Sequence, residues 1–184
     1  MEGMIPVEGI MNIRKADKDD LDQIIRIYEH IHDEEESGNV SIGWIRDVYP
    51  TKGTAEESLK RGDLFVLEEN GRILAAAIIN RIQVPEYRYA GWKHEAGEDE
   101  AMILHTLVVD PRQSARGYGK AFVFFYEDYA GRQGCHELRM DTNATNIRAR
   151  KMYQRLGYEE VGIVPCIFNG IPDVKLVCLE KYLG

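Results

Sequence analysis

Residues 104–122, LHTLVVDPRQSARGYGKAF, leave their part of the chain few ways to fold. A β-branched apolar run stops at Asp110-Pro111, a basic glycine-containing loop follows, and an amphipathic helix opens directly from it. The first N–H groups of a helix have no intrahelical acceptor, and together with the helix dipole they favour an anion. Glycines let that backbone approach a phosphate, and Arg112 and Arg116 add positive charge. A phosphate-bearing ligand with its anionic part at residues 115–120 is the expectation.

Two nucleotide motifs do not fit. A P-loop needs GxxxxGK[ST], whereas Gly117-Tyr118-Gly119-Lys120-Ala121 lacks the spacing and the hydroxyl for magnesium. A dinucleotide fingerprint needs GxGxxG, and its third glycine position is Phe122, too bulky for close helix–strand packing. A purely structural turn would not account for the arginines.

Around this stretch the periodicity predicts the order β-α-α-β-β-β-α-β-α-β-β. A first strand is expected over 10–14, a helix over 19–35 capped by Asp17 or Asp19, and a short helix and loop over 40–53. Thr54 begins a capping-box pattern for a helix ending near Gly62. Residues 64–68 and 72–81 read as a hairpin turning at Asn70-Gly71, the second strand central in the sheet. Residues 83–100 read as a surface loop or lid. Then follow a strand over 101–109, a helix over 117–132, a strand over 135–141 and a helix over 145–156 ended by Gly157. Strands over 158–164 and 174–179, joined near Asn169-Gly170, finish the chain. The expected fold class is α/β, a mixed sheet of about six to seven strands flanked by helices on both faces, in a single domain over 1–184.

Composition narrows the partners. With 44% hydrophobic and 29% charged residues the chain reads as an ordinary globular protein, and its net charge of −8 disfavours nucleic acid or anionic membrane. Three cysteines without metal-like spacing suggest reduced thiols, and His30 and His32, two apart on a helix, point away from each other. No metal is expected. With neither a leader pattern nor an apolar run of ~18 residues, the expected location is cytoplasmic.

The run Leu107-Val108-Val109-Asp110-Pro111, then Arg116-Gly117-Tyr118-Gly119-Lys120, resembles the acyl-CoA loop of the GNAT superfamily of N-acetyltransferases. Asn146-x-x-Ala149-x-x-x-Tyr153 followed by Leu156-Gly157-Tyr158 resembles that family's second motif. The sharp part of the match spans residues 102–164, roughly a third of the chain. The family loop usually carries Gln or Arg where Ser114 stands here, which leaves open the side chain that supports the cradle.

The resemblance implies acetyl-CoA as co-substrate. Its pyrophosphate would lie on Ala115, Arg116, Gly117, Tyr118, Gly119 and Lys120, and its pantetheine along a bulged strand at Leu107, Val108 and Val109. Asn146 and Ala149 would touch the arm, and Tyr153 would protonate the departing thiolate. On a helix Asn146, Ala149 and Tyr153 share one face, the outer two ~10 Å apart at ~1.5 Å per residue. For the base His105 is the first candidate, on the same sheet face as Leu107 if the strand is regular, and Glu100 the second.

The acceptor pocket is expected from the first helix, the 40–53 loop, the 83–100 segment and the final hairpin, with Trp44, Tyr49, Tyr87, Tyr89 and Trp92 as candidate lining. Residues 33–36, all acidic, could attract a cation, though such runs are commonly solvated helix ends. The leading expectation is acetyl transfer to the primary amine of a small molecule. Acetylation of a protein N-terminus or lysine, and a non-catalytic acyl-CoA-binding module, are the alternatives; Tyr153 speaks against the last. The oligomeric state stays open, a homodimer paired through the last strand being one option.

Overall fold

The computed structural model describes residues 10–184; residues 1–9, where no leader pattern is read, lie outside the described residues. Seven strands and four α-helices follow in the expected order. They are β1 (Met11–Lys15), α1 (Leu21–Glu36), α2 (Lys52–Arg61), β2 (Leu64–Glu69), β3 (Arg72–Asn80), β4 (Ala101–Val109), α3 (Tyr118–Arg132), β5 (Glu137–Asn143), α4 (Ile147–Arg155), β6 (Glu159–Phe168) and β7 (Ile171–Tyr182). The single sheet has the order β1-β2-β3-β4-β5-β7-β6, and β4 with β5 is its parallel pair. Among the described residues no helix is long and apolar enough to cross a membrane.

Alternation along the strands sends side chains to opposite faces of the sheet, where three buried clusters form, the third around Tyr87, Ile103, Leu176 and Cys178. Phe65, Leu67, Met102, Leu104, Leu138 and Met140 pack under α3 and α4 with Phe122, Tyr126 and Tyr153. On the opposite face Val66, Ile73, Ala76, Ile78 and Val108 pack under α1 and α2 against Ile24, Ile27 and Tyr28. The buried run Ala75-Ala76-Ala77 in β3 carries little bulk on either face, which lets the helices lie close to the sheet.

Local signals account for most element ends. Asp17 caps a short 3-10 turn over Lys18–Asp20 that leads into α1. The box that starts α2 is Thr51 with Thr54, three residues earlier than the sequence pattern suggests. Asn70-Gly71 and Asn169-Gly170 both take positive φ, as two-residue hairpin turns require. The short helix expected within 40–53 does not form, since Gly43 and Asp47 take positive φ and a bridge joins Ile45 to Tyr49. Residues 83–100 are not a free lid. A 3-10 turn over Pro85–Tyr89 buries Tyr87, and Gly91 donates its N–H to the Val161 carbonyl at 2.9 Å.

Two irregularities in the middle of the sheet create the site. β4 and β5 pair only from Ala101↔Glu137 to Leu104↔Met140 and then part. Beyond that point β5 bonds only to β7, and β4 only to β3. In β4 the register passes from Ile78↔His105 to Ala76↔Val108, so Thr106 and Leu107 lie opposite the single residue Ala77. Thr106 takes φ +51°, unfavourable for a β-branched residue, and its hydroxyl is held by the Tyr49 hydroxyl. The bulge therefore sits at Thr106-Leu107, at the start of the stretch where the family resemblance puts it.

Candidate active site

The gap between the parted strands opens into a cavity of about 480 Å³ that reaches residues from both faces of the sheet. Leu107, Asn146, Ala149 and Tyr153 line it from the α4 side. His105, Asp141, Trp44, Tyr49, Glu57 and Phe168 are among the residues lining the rest.

Tyr153 is buried, 6% exposed, with its ring edge-on to Tyr158 at 6.0 Å. Burial first, and then the nearby Asp141 carboxylate, push its phenol above the ordinary value of 10.0. The proton is thus held on Tyr153 throughout the neutral range. Asn146 lies just outside α4 and lines the same cavity as Ala149 and Tyr153. It is the N-cap of α4, and its Oδ1 accepts from Ala149 N–H at 3.3 Å. Its NH₂ group makes no hydrogen bond among the described residues.

His105 is constrained by its neighbours. Asn80 donates through Nδ2 to Asp63 Oδ2 at 3.0 Å, which directs Asn80 Oδ1 toward His105 Nε2 at 2.9 Å. A carboxylate only accepts, so the amide orientation and the Nε2–H tautomer follow together. Burial pushes the imidazole down to about 4, so it is neutral near pH 7. The bulge also separates it from Leu107. His105 pairs with Ile78 on the α1 face, whereas Leu107 packs against the core under α3 and α4. The shared face expected of a regular strand is lost.

Asp141 has no counterpart among the sequence candidates. It is the first β5 residue past the last β4–β5 pair, and Tyr87 donates its hydroxyl hydrogen to Asp141 Oδ2 at 2.7 Å. Burial pushes its carboxyl up to about 6, and the Tyr87 hydrogen bond pulls in the opposite direction. A faint signal existed in the alternation of Glu137, Arg139 and Asp141 with Leu138 and Met140, which puts three charged residues on one face of an interior strand.

The remaining candidates separate cleanly. Trp44 and Tyr49 line the cavity; Tyr87, Tyr89 and Trp92 do not. Tyr87 acts through Asp141, Tyr89 is 67% exposed, and Trp92 lies over the Arg139 guanidinium at 4.2 Å. Glu100 lines a separate depression beside Trp92 and accepts from Gly97 N–H at 2.8 Å. His30 contacts Asp110 at 3.2 Å and His32 contacts the Pro50 carbonyl at 2.9 Å.

The glycine loop runs from a 3-10 turn over Pro111–Gln113 into α3. Ser114 N–H is bonded to Pro111 O, and the next bonded N–H outside a regular strand is that of Ala121, to Gly117 O at 3.0 Å. The N–H groups of residues 115–120 lie between them, at the start of α3. Ala115 and Gly117 take φ of +66° and +79°, and a Cβ at Gly117 would meet nothing within 4 Å. The loop side chains Arg112, Ser114 and Arg116 are exposed. Tyr118 is different: its ring is buried and its hydroxyl donates to Glu69 Oε2 at 3.1 Å, so its side chain supports the fold. At Gly119 a Cβ would come 3.4 Å from Met152 Sδ, a close approach between α3 and α4. Of the β4 residues, Val109 packs toward α3 and Val108 is buried on the opposite face, which leaves Val108 only its backbone to offer a ligand.

Residues 22–158 match the Acetyltransferase (GNAT) family. An uncharacterized N-acetyltransferase of Methanocaldococcus jannaschii is 26% identical over 158 residues, covering 83% of this chain and 62% of that protein. The chain spans about three fifths of the length of the curated relatives it matches. An acetyltransferase of the GNAT family from Streptococcus agalactiae shares the fold at TM-score 0.77 and 22% identity, over 94% of this chain and 95% of that one. The Salmonella typhimurium protein yncA, described with its cofactor acetyl-CoA, superposes at TM-score 0.69 and 19% identity over 95% of each chain. With a family match over most of its length and this sheet around it, the chain belongs to the GNAT acetyltransferase family.

Proposed function

We propose that the protein is an acetyl-CoA-dependent N-acetyltransferase acting on a primary amine of a small molecule. The observation that carries this reading is that Tyr153 and Asp141 line one cavity where β4 and β5 part. The residues present suit acetyl-CoA, which is also the cofactor named for the Salmonella relative in fold. The N–H groups of residues 115–120 suit its pyrophosphate. The β4 backbone past Leu104 has no β5 partner, so Leu107, Val108 and Val109 can hydrogen-bond the pantetheine amides. Bound there, acetyl-CoA supplies an activated thioester open to direct attack by an amine.

The chain's own groups then manage protons. Asp141, ionised above about pH 6, attracts the ammonium form of the acceptor and takes up its proton, directly or through water. His105 is the weaker base, since burial holds it down to about 4 and its Nε2–H is committed to Asn80. Tyr153 holds its proton ready for the sulfur. Burial widens the gap between its phenol and an ordinary thiol, yet a thiol in a dry site rises too, as Cys178 does here to about 12.

A small acceptor fits the walls. Trp44, Tyr49 and Phe168 enclose a volume within the range of about 300–1,000 Å³ usual for small-molecule sites, and Glu57 adds a second carboxylate. The test is a screen of amines with acetyl-CoA, following release of free CoA. Acetylation of small primary amines is expected. Acetyl-CoA binding without CoA release for any amine, or release only with peptides, would overturn the reading.

A further inference from the structure

Where β5 begins and β7 ends, at the end of the strands remote from the glycine loop, three side chains converge that the acetyl-transfer site does not use. Glu137 begins β5, Glu180 lies on the neighbouring β7, and His94 comes from the segment between β3 and β4. Their ligand atoms all lie within 4.8 Å of one another. Both carboxylates are 3% exposed.

Each carboxylate has one satisfied oxygen. Glu137 Oε1 accepts from Arg139 Nε at 3.1 Å, and Glu180 Oε1 accepts from Lys93 N–H at 2.7 Å. The other oxygens, Glu137 Oε2 and Glu180 Oε2, are buried without a hydrogen-bond partner among the described residues. Both face His94 Nδ1, at 3.7 Å and 4.0 Å. Two unpartnered buried carboxylate oxygens held this close are strongly unfavourable unless a positive charge or a proton joins them.

The surroundings hold this triangle in place. His94 stacks on Tyr182 at 4.5 Å, and Arg139 donates through Nη2 to the His94 carbonyl at 2.7 Å. Zinc-like ions bind His nitrogen and carboxylate oxygen at about 2.0–2.2 Å, which puts tetrahedral ligands about 3.4 Å apart. The two separations from His94 therefore need to close by only roughly half an ångström. A ligand set with one nitrogen favours zinc-class ions over magnesium or calcium, which prefer oxygen alone.

We infer that His94 Nδ1, Glu137 Oε2 and Glu180 Oε2 form a binding site for one zinc-class divalent cation, with water in the fourth position. The ion ties the 83–100 segment to β5 and β7. That segment also carries Tyr87, which holds Asp141, so the ion steadies the active-site carboxylate from a distance. The three residues are far apart in the chain, so no spacing motif announces them and the expectation of a metal-free protein rested on sequence spacing alone.

The full-length chain, stripped of metal with a chelator and dialysed, is titrated with Zn²⁺ by calorimetry and, in parallel, with Mg²⁺. One Zn²⁺ per chain with a rise in Tm is expected, and no response to Mg²⁺ at the same concentration. H94A alters a half-exposed side chain, and E137Q keeps the volume while mimicking the protonated carboxyl. Each should weaken Zn²⁺ binding at least tenfold and remove the Zn²⁺-dependent rise in Tm. Absence of Zn²⁺ binding, equal binding in the folded H94A variant, or equal stabilisation by Mg²⁺ would overturn the site. So would an E137Q variant that still gains stability from Zn²⁺.

Discussion

Tyr87 donates its hydroxyl hydrogen to Asp141 Oδ2 at 2.7 Å, joining a residue that does not line the cavity to the carboxylate inside it. The bond favours the ionised form of Asp141, while burial favours the neutral form and dominates, leaving the carboxyl at about 6. A base poised there is ionised at neutral pH and still able to accept a proton.

Asp141→Asn should lower kcat by roughly 10²-fold or more. In the parent protein kcat/KM should rise with pH through about 6 and then level off. Tyr87→Phe removes a donor that favours the charged form, so the rising limb should move to higher pH by about one to two units, given ~1.5–3 kcal/mol for a hydrogen bond to a charged group. Rate profiles of both proteins over about pH 5–9 decide the matter; a limb unmoved in Tyr87→Phe would place the titrating group elsewhere.

The same carboxylate should cost stability. Its folded value of about 6 lies above the ordinary 3.8, so the folded state binds the proton more tightly. The contribution is fully present below pH 3.8 and is lost as pH rises through 6, to the extent of about 3 kcal/mol at most. Asp141→Asn should therefore unfold at a higher temperature than the parent at about pH 7.5, with the difference shrinking toward about pH 4. Equal Tm values at both pH values would count against a raised Asp141.

Tyr153→Phe should reduce turnover roughly 10²-fold or more while leaving acetyl-CoA affinity nearly unchanged, because the ring still fills its place against Tyr158. Steady-state rates and calorimetric titration separate the two quantities. Unchanged turnover would remove Tyr153 as the acid.

Gly117→Val should weaken acetyl-CoA binding at least tenfold. Nothing surrounds the new Cβ, so the effect comes from the left-handed φ of +79° that a β-branched residue resists and from bulk over the exposed N–H groups. A destabilisation of about 1–3 kcal/mol accompanies it. Unaltered affinity in the folded variant would overturn the anion cradle at residues 115–120.

Signals within a few residues were legible in the chain itself. The strand-to-loop-to-helix transition at residues 104–122, the Asn70-Gly71 and Asn169-Gly170 turns and the order of the elements all depend on local φ preferences, caps and periodicity. The glycine loop stood out for the same reason, whereas Tyr153 was named through the resemblance of residues 146–158 to the family's second motif. The tertiary structure alone decided that β4 and β5 part after Leu104 and Met140, and that a bulge at Thr106 turns His105 away from Leu107. Strand pairing joins residues distant in sequence, and a slip of one residue exchanges the two faces of a strand. Asp141 therefore became visible only when β5 was placed beside the gap and Tyr87 was folded against it. The glycine loop sets where an anion can bind, and the parting of two strands sets which side chains meet whatever it brings.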